Sequence, residues 1–338
     1  MANIIHLTSA LCVCYCIASS AFVADAGSLN FTFPPDNNFN KASDAVSGGD
    51  GHIELTRNGP YSMGWVTYNQ SIPLWNSSSR ALANFSTHFQ FTLGPGNLPT
   101  GYGDGLAFFM APFQLEQPLG AAGGWLGLFN RTSYYGSTYP MIAVEFDTYR
   151  NDWDPDDNHV GININSIFSM VYVSLSNQTE PRRPSGEDLK NWENWEAWVD
   201  YNGGAMQLQV FLLSNPSGNV NNISKPKNPI CSYDIDLRDH LPETIKVGLS
   251  ASTGNSTETH TIYAWNFSSE YSWESDGNQN SSSVKVILIS VFSSFLTVCG
   301  FVFGAARWYS GKRKNKLGGD AKEESDSELD ELCAQGPR

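Results

Sequence analysis

The chain has few basic residues for its size, and this shortage limits what it can bind. Lysine and arginine number 20 against 34 aspartates and glutamates, so the formal net charge over 338 residues is -14. Because a nucleic-acid partner requires a basic face that neutralises phosphates, this charge balance excludes DNA and RNA as partners.

Cysteine is scarce in the part of the chain where it could form disulfides. Of the six cysteines, only Cys231 lies in the central region, and the others stand near the two ends, at positions 12, 14, 16, 299 and 333. A single cysteine cannot form an internal disulfide. The central region must therefore be stabilised by core burial or by a bound metal ion.

Long apolar runs are confined to the two ends, and both predict targeting segments. Residues 1–26 combine an apolar run of signal-peptide length with Ala24-Asp25-Ala26, a candidate cleavage site. Residues 286–306 carry no charge and are long enough, at about 1.5 Å per residue, to cross a hydrocarbon core of about 30 Å. Lysines and arginines follow at once, in residues 307–316, and the positive-inside rule places them in the cytosol. The sequence predicts a single-pass type I protein of the plasma membrane.

The segments on either side of the predicted membrane helix differ in composition. Residues 274–285 are polar and serine-rich, which predicts a stalk outside the membrane. The tail, residues 307–338, passes from basic to acidic and contains no glycine-rich phosphate loop. We therefore predict a short cytosolic tail without a kinase domain.

Sequons for asparagine-linked glycans are frequent in the predicted extracellular part and absent from the tail. Their number favours a glycosylated surface over chance matches alone. The candidate sites are Asn30, Asn69, Asn76, Asn84, Asn130, Asn177, Asn222, Asn255, Asn266 and Asn280.

The central region, residues 27–273, alternates with a period of two rather than a helical period. Phe85, Phe89 and Phe91 alternate with polar residues in NFSTHFQF, and one face of MQLQVFL, beginning at Met206, is apolar. The second half of NWENWEAWVDY is interpreted as a strand, with its three tryptophans in packing roles. Short strands separated by Gly, Asn, Pro and Ser turns predict an all-β fold, either a β-sandwich or a jelly roll.

A crowded acidic loop follows one of these strands. In VEFDTYRNDWDPDDNHVG, strand alternation places Glu145 and Asp147 on one face, about 6.5 to 7 Å apart. The following loop adds Asn151, Asp154 and His159, so hard oxygen ligands and one imidazole meet. Such a set suits a divalent cation, and without one like-charge repulsion raises carboxylate pKa values. The remaining acids are interpreted as solvated charges: Asp152, Asp156 and Asp157.

This stretch resembles the metal-binding signature of legume lectins, the domain that plant L-type lectin-domain receptor kinases carry outside the cell. The match extends through DGLAFFMAP, GGWLGLFN, LPETIKVGLSASTG and HTIYAWNF, over nearly all of residues 27–270. The resemblance implies a jelly-roll β-sandwich of the concanavalin-like type that holds manganese, or another transition metal, beside calcium. It assigns the transition metal to Glu145, Asp147, Asp154 and His159, with Ser169 reaching it through water. It assigns calcium to Asp147, Asn151, Asp154 and the Tyr149 carbonyl.

The resemblance also implies a carbohydrate site built from four loops. A sugar offers hydroxyl groups and an apolar ring face, so its site needs a carboxylate, an amide, backbone N–H groups and an aromatic side chain. On the family pattern Asp104, after a cis Gly103-Asp104 bond, accepts two hydroxyls. Gly124 and Asn151 donate to the sugar, and Tyr149 stacks on its ring. The fourth loop brings Asn255 and Ser256, and a glycan on the sequon at Asn255 would crowd the site.

Two other functions stay open at this level. Laminarinase-like glycoside hydrolases share the sandwich and carry E-x-D-x-E on one strand, but here the third position is Tyr149 and both acids are assigned to metal. The other alternative is a structural ectodomain or co-receptor whose sugar site is vestigial. We expect a membrane-anchored, calcium- and manganese-dependent lectin that is not an enzyme. Its expected partners are a carbohydrate or glycoprotein ligand, the plasma membrane, and either a second copy, which the resemblance places on the back sheet, or a kinase-bearing co-receptor.

Overall fold

The fold is described from a computed structural model that covers the central region of the chain. The described residues are 25–34, 38–95, 101–134, 140–176, 188–218 and 223–273, together with 305, 307 and 308. The chain divides into two units, Met1–Ser275 and Asp276–Arg338, and the described strands belong to the first. The predicted stalk and membrane helix fall outside the described residues except for Ala305, and so does the signal peptide up to residue 24. Among the described residues, no helix has the length and apolar character needed to span a bilayer.

Strands account for nearly all the regular structure described within residues 25–273. Three single turns of 3-10 helix, Gly123–Trp125, Leu189–Asn191 and Leu237–Asp239, complete it. The strands are β1 (Asp25–Phe33), β2 (Phe39–Ser43), β3 (Val46–Ser47), β4 (Ile53–Glu54), β5 (Met63–Tyr68), β6 (Ile72–Pro73), β7 (Asn84–Pro95), β8 (Gly105–Pro112), β9 (Ile142–Asp147), β10 (His159–Ile164), β11 (Ser169–Ser174), β12 (Trp195–Asn202), β13 (Gln207–Ser214), β14 (Cys231–Asp234), β15 (Thr244–Ser252) and β16 (Glu258–Trp273).

These strands form two antiparallel sheets. The back sheet has the order β14-β13-β12-β7-β16-β4-β3, and β1 also pairs with β16. The front sheet has the order β11-β10-β9-β8-β15-β5-β2, and β6 pairs with β15. Most neighbours are distant in sequence, so the order depends on non-local pairing. The predicted cleavage after Ala26 would remove the first two residues of β1.

Inward-facing side chains of the two sheets form one core. Phe89 and Phe91 of β7 meet Phe146 of β9, with ring centroids 5.8 and 5.2 Å apart. Burial of each such side chain stabilises the fold by about 1.5–3 kcal/mol. The alternation predicted for NFSTHFQF and the all-β sandwich are both confirmed. Cys231, on β14, is buried in this core.

The front sheet is also covered on its outer face, and this covering positions the site. Trp65, Ala107 and Phe109 point away from the main core and pack against Leu126 and Phe129 of a long loop. Strand β8 is therefore buried on both faces, which explains its continuous apolar sequence. The outer positions of β9 lie next to those of β8, so any charged group there is removed from bulk water.

Two apolar side chains differ from the predicted pattern. Met206 lies in the turn before β13, where its φ is 53°, and it is 38% exposed rather than part of the buried apolar face. Trp192 follows the turn Leu189–Asn191 with a φ of 65° and is exposed as well. The packing role holds only for Trp195, in the core, and Trp198, on the outer face of the back sheet. Alternation predicts side-chain direction only for residues within a strand ladder.

Candidate functional site

Strand β9 carries the first two acids of the candidate metal centre. Glu145 and Asp147 are each 1% exposed and lie on the covered outer face of the front sheet, while Val144 and Phe146 enter the core. Their neighbours on β8 are Ala107 and Gly105, whose small size leaves space beside the carboxylates. The predicted strand placement of the two acids is the one observed.

Strand β10 and the preceding loop complete the cluster. His159 is paired with Asp147 across the β9–β10 ladder, so the imidazole lies beside the carboxylate. Asp154, from the loop, joins them, and one ligand atom from each of the three residues lies within 4.8 Å of the others. All three side chains are buried. Two carboxylates and an imidazole at this spacing are a donor set that holds a divalent cation.

Glu145 contacts this group through His159. Its Oε1 lies 3.2 Å from His159 Nε2 and accepts a hydrogen bond from Ser169 Oγ, while its Oε2 accepts from Asn163 Nδ2 at 2.9 Å. Gly161 makes this contact possible, because a Cβ there would overlap Ser169 Oγ and lie 2.6 Å from Glu145 Oε1. All four predicted direct ligands of the transition metal therefore lie close together, with Ser169 beside them.

The raised pKa values of the cluster show that its negative charges are not balanced by positive charges of the protein. Burial, and then the charges of Asp154 and Glu145, raise the pKa of Asp147 well above its usual range, against the opposing effect of His159. Burial also raises the pKa of Asp154 to about 7, with Glu145 adding to the rise. Burial alone would lower the pKa of His159, but the neighbouring carboxylates of Asp156 and Glu145 raise it to about 11. Protons thus compensate the acids in the metal-free chain, and a divalent cation would replace them.

The loop after β9 folds back onto the same acids. The backbone N–H of Tyr149 donates to Asp147 Oδ1 at 2.9 Å, and that of Asn151 donates to Asp154 Oδ2 at 2.7 Å. The side-chain oxygen of Asn151 is buried and has no hydrogen-bond partner among the described residues. An unpartnered buried oxygen beside two carboxylates fits a cation ligand, since burial without a partner is otherwise unfavourable.

Asp104 lies on the neighbouring loop with a free carboxylate oxygen. The Gly103-Asp104 bond is cis, as the resemblance implied. The Asp104 side chain is 3% exposed, and its Oδ2 has no hydrogen-bond partner in the described structure. Burial, followed by the charge of Glu258, raises the pKa of this carboxyl to about 7. The loop is held by the backbone N–H of Thr148, which donates to the Asp104 carbonyl at 3.1 Å.

Three glycines bring the other loops close to Asp104 and Asn151. A Cβ on Gly254 would lie 2.8 Å from Asp104 Oδ2, and a Cβ on Gly124 would overlap the Asn151 amide. Gly123 lies between them with a φ of +73°, and its N–H donates to the Thr253 carbonyl at 3.0 Å. These close approaches exclude side chains, so the carboxylate, the amide and the backbone of Gly123–Trp125 share one concave corner.

The remaining predicted sugar-site residues lie around this corner. Cβ atoms of Tyr149 and Ser256 are each 3.1 Å from the position a Cβ on Gly103 would take, so both flank the Asp104 turn. Tyr149 is 39% exposed and available for ring contact, whereas Ser256 is buried. Asn255 is exposed, and its side-chain oxygen accepts a hydrogen bond from the Tyr61 hydroxyl. The structure brings Asp104, Gly124 and Asn151 together and places Asn255 at the rim.

One interpretation of the acidic loop was wrong. Asp156 was expected to be a solvated charge, but it is half-buried and its Oδ1 lies 3.5 Å from His159 Nδ1. Asp156 therefore lies beside the imidazole nitrogen that does not face Glu145, and the nearby His159 lowers the pKa of Asp156 against the effect of burial. Asp152 is exposed, and Asp157 is exposed and pairs with Lys190 at 2.8 Å. The i, i+3 spacing of Asp156 and His159 was the signal that could have identified this contact.

Sequence reasoning also missed a buried polar network behind Asp104. Glu258 is completely buried, and its Oε1 accepts from Thr148 Oγ1 at 2.7 Å and lies 2.9 Å from His260 Nε2. His260 Nδ1 in turn lies 2.7 Å from Thr56 Oγ1. The network connects the back sheet to Thr148, the residue that holds the Asp104 carbonyl. The alternation Glu258-x-His260 at the start of a strand was its only trace in the sequence.

Comparison with known proteins agrees with this geometry. The profile of the legume lectin domain matches residues 28–283. The L-type lectin-domain containing receptor kinase IX.1 of Arabidopsis thaliana is 35% identical over 86% of this chain, and this chain spans 43% of that kinase. Agglutinin-2 of Cladrastis kentukea is also 35% identical, over 73% of this chain and 83% of its own length.

Solved structures give the same answer for the fold. The metal-free form of lectin I-B4 from Griffonia simplicifolia superposes with a TM-score of 0.60 at 33% identity, covering 71% of this chain and 99% of that one. Basic winged bean lectin in complex with Tn-antigen superposes with a TM-score of 0.60 at 31% identity, covering 72% and 98%. The chain therefore belongs to the legume lectin family of carbohydrate-binding domains.

Proposed function

We propose that this chain is a metal-dependent lectin that binds a carbohydrate, free or on a glycoprotein, at the corner formed by Asp104, Gly124 and Asn151. The observation that carries the proposal is the pair of buried, unpartnered oxygens, Asp104 Oδ2 and Asn151 Oδ1, beside the acidic cluster. One of them suits a sugar hydroxyl and the other a cation. Membership of a lectin family and the solved lectin complexes support the same function.

Calcium and manganese, or another transition metal, are the proposed cofactors. The transition metal would be held by Glu145, Asp147, Asp154 and His159, with Ser169 close to Glu145. Calcium would be held by Asp147, Asn151, Asp154 and the carbonyl of Tyr149. When bound, the cations neutralise the cluster and fix the loops that carry the sugar-binding groups.

Each sugar-binding residue has a specific role in this proposal. The ionised Asp104 carboxylate accepts hydrogen bonds from two sugar hydroxyls, and charge-assisted bonds of this kind are among the stronger ones. The Asn151 amide and the Gly124 N–H donate to sugar oxygens, and Tyr149 contacts the apolar face of the ring. Ser256 supports the Asp104 turn, and Asn255 lies where a larger glycan would leave the site.

Asp104→Asn tests the proposal most directly. The substitution keeps the side-chain volume but removes the charge that accepts hydroxyls, so glycan-array binding by the detergent-solubilised chain should be lost. The chain with native Asp104 should also lose binding in EDTA and regain it with calcium and manganese. The exposed Asp239→Asn is the matched control and should bind normally. Binding that survives both EDTA and Asp104→Asn would refute the proposal.

A glycoside hydrolase is the less favoured function. Retaining hydrolysis needs two available carboxyl groups, but Glu145 and Asp147 are buried and engaged with His159 and the loop backbone. We propose that the chain is not an enzyme. Release of reducing sugar from cell-wall glucans would contradict this.

A vestigial site in a structural ectodomain is the second alternative, and the exposed sequon at Asn255 favours it, because a glycan there would crowd the rim. A chain that binds both metals, yet binds no glycan even after enzymatic removal of its own N-glycans, would establish this alternative.

We also propose that the lectin domain acts in recognition at the plant cell surface. The support is the predicted signal peptide and membrane helix together with similarity to receptor kinases IX.1 and IX.2, of which this chain spans 43% and 45%. A kinase-bearing co-receptor is the proposed signalling partner. Protease digestion of intact protoplasts should remove the lectin domain if it is outside the cell.

A further inference from the structure

Two predicted glycosylation sequons meet on one face of the molecule although they are far apart in sequence. Asn30 lies on β1 and Asn84 on β7, and both strands pair with β16. Asn30 is opposite Ser268, and Asn84 is opposite Glu270, two residues further along β16. Two strand spacings and a two-residue offset separate the asparagines by about 12 Å.

Both asparagines point away from the core. The residue after each asparagine is buried in the core: Phe31 follows Asn30 on β1, and Phe85 follows Asn84 on β7. Side chains alternate across a strand, so Asn30 and Asn84 lie on the outer face of the back sheet, where both are exposed. The Oδ1 atom of Asn84 accepts from the Gly203 N–H at 2.8 Å, a contact that is compatible with a glycan on Nδ2.

The surroundings of these asparagines are polar. A depression of about 500 Å³ lies beside Asn84, and most of the side chains that line it carry hydroxyl, amide or carboxylate groups, including Asp200, Gln209 and Glu270; Phe85 and Tyr201 also line it. Among the described residues, none of the large exposed hydrophobic side chains lies on 28–32, 84–88 or 266–270. A stable protein interface needs a desolvated apolar centre, whereas such a depression offers hydrogen-bond partners to the first sugars of a glycan.

We propose that the outer face of the back sheet around β1, β16 and β7 carries N-linked glycans at Asn30 and Asn84, and that this face is turned to solvent and not to a second copy of the chain. The inference rests on the proposed extracellular placement. A third sequon, at Asn266, lies between the two, but its side chain is half-buried. The candidate metal centre lies on the outer face of the front sheet. The domain would therefore bind glycans at its front sheet and carry its own glycans on its back sheet.

Two further sequons serve as internal controls. Asn69 is exposed in the turn after β5, away from this face, and should be modified whenever the chain enters the secretory pathway. Asn76 is buried, and its Oδ1 accepts from the N–H of Ser79 at 2.8 Å, so a glycan would require that turn to open. We expect modification at Asn69 and not at Asn76.

The experiment is site-resolved mass spectrometry of the full chain purified from plant membranes. Enzymatic deglycosylation should convert Asn30 and Asn84, like Asn69, to aspartate, and leave Asn76 unchanged. Modification at Asn69 without Asn30 and Asn84 would overturn this inference alone. No modification at any sequon, Asn69 included, would overturn the extracellular placement and this inference together. Sugar binding is scored separately, on the chain freed of its own N-glycans, so its absence there refutes only the proposed lectin function.

The second measurement concerns self-association. Cross-linking of the native chain in its membranes should yield no dimer through this face. The double variant Thr32→Ala with Ser86→Ala removes both sequons but keeps both asparagines. It should fold normally and have an apparent mass that is lower by two glycans. Asn69→Gln is the matched control and removes one. A dimer cross-linked through β1 or β16 in the glycosylated chain would refute the proposal.

Discussion

Buried carboxylates lie on the outer faces of both sheets, but the two clusters differ in how many hydrogen-bond donors surround the carboxylate oxygens. On the back sheet, Glu196 is completely buried and its oxygens are surrounded by donors. Oε2 lies 2.7 Å from His88 Nε2, and Oε1 accepts from Gln90 at 2.9 Å and from Asn215 at 2.8 Å. This cluster is complete without any ion, because neutral amides and one imidazole satisfy the single charge.

The front-sheet cluster has more acceptors than donors. Asp147 and Asp154 share one imidazole with Glu145, and the unpartnered oxygens of Asn151 and Asp104 lie nearby. Carboxyl pKa values there are raised, to about 7 for Asp154 and Asp104. The comparison teaches that burial of a carboxylate is not itself evidence for a metal. What matters is whether protein donors already satisfy the oxygen atoms.

The largest expected effect comes from removing one acid of the front cluster. Asp147→Asn keeps the size of the side chain but removes the charge that both proposed metals would share. Metal affinity should fall by more than about 100-fold, because loss of a direct ligand exceeds the 10–100-fold cost of losing an outer-shell partner. Sugar binding should disappear with it. Isothermal titration of the metal-depleted chain with calcium and manganese measures the first effect, and a glycan array the second.

Glu196→Gln is the matched control from the back sheet. It removes a buried charge of the other cluster and should leave metal affinity and sugar binding unchanged. If Glu196→Gln weakened metal binding as much as Asp147→Asn, the contrast between the two clusters would be wrong.

The pH dependence of metal binding should be the next largest effect. In the metal-free chain the pKa values of Asp154 and His159 are raised, to about 7 and about 11, so both groups hold protons that a cation must displace. Metal affinity should therefore fall as the pH is lowered from 8 to 5, by about tenfold per pH unit for each proton released. The raised pKa of Asp154 also stabilises the metal-free fold at low pH, an effect lost as the pH rises through about 7. The stabilisation that metal adds, measured as a shift in Tm, should thus grow from pH 5 to 8; a shift independent of pH would contradict this assignment.

A moderate effect on stability is expected from the back cluster. Glu196→Ala leaves the buried donors of Gln90 and Asn215 without their acceptor, so the free energy of unfolding should fall by about 1–3 kcal/mol. Because no cation is involved, the loss should be the same with and without EDTA. Urea denaturation under both conditions measures it. Dependence of the loss on EDTA would show that the two clusters are not independent.

Much of the front cluster could be predicted from the sequence because its geometry is local. Alternation along β9 put Glu145 and Asp147 on one face, and the short loop to β10 brought Asp154 and His159 back to them. The motifs of the resemblance then directed attention to Asp104, whose loop pairs with this strand only in the folded sheet.

The back cluster and the network behind Asp104 could not be predicted in the same way. Glu196 meets Gln90 only because β7 and β12, which are far apart in sequence, pair in the sheet. Glu258 accepts a hydrogen bond from Thr148, which is more than a hundred residues away in sequence. Alternation groups the side chains of a strand into two faces, but it does not tell which of these faces is buried at the end of the strand. Non-local register, and not side-chain chemistry, limits what the sequence can predict here.

The smallest expected effect would extend the comparison to this third buried carboxylate. Glu258 is satisfied by Thr148 and His260 through one oxygen, but its other oxygen has no partner among the described residues, and its charge raises the pKa of Asp104. Glu258→Gln removes the charge and keeps the volume, so Asp104 should ionise at lower pH. At pH 6 the sugar affinity of the variant should then be a few-fold higher than that of the unmodified chain. At pH 8 the two affinities should be equal, because Asp104 is ionised in both proteins. The control Glu270→Gln, at an exposed position, should leave the affinity unchanged at both pH values. If Glu258 acts only by anchoring Thr148, affinity should instead fall equally at both pH values, so a titration of sugar affinity against pH separates an electrostatic role from a purely structural one.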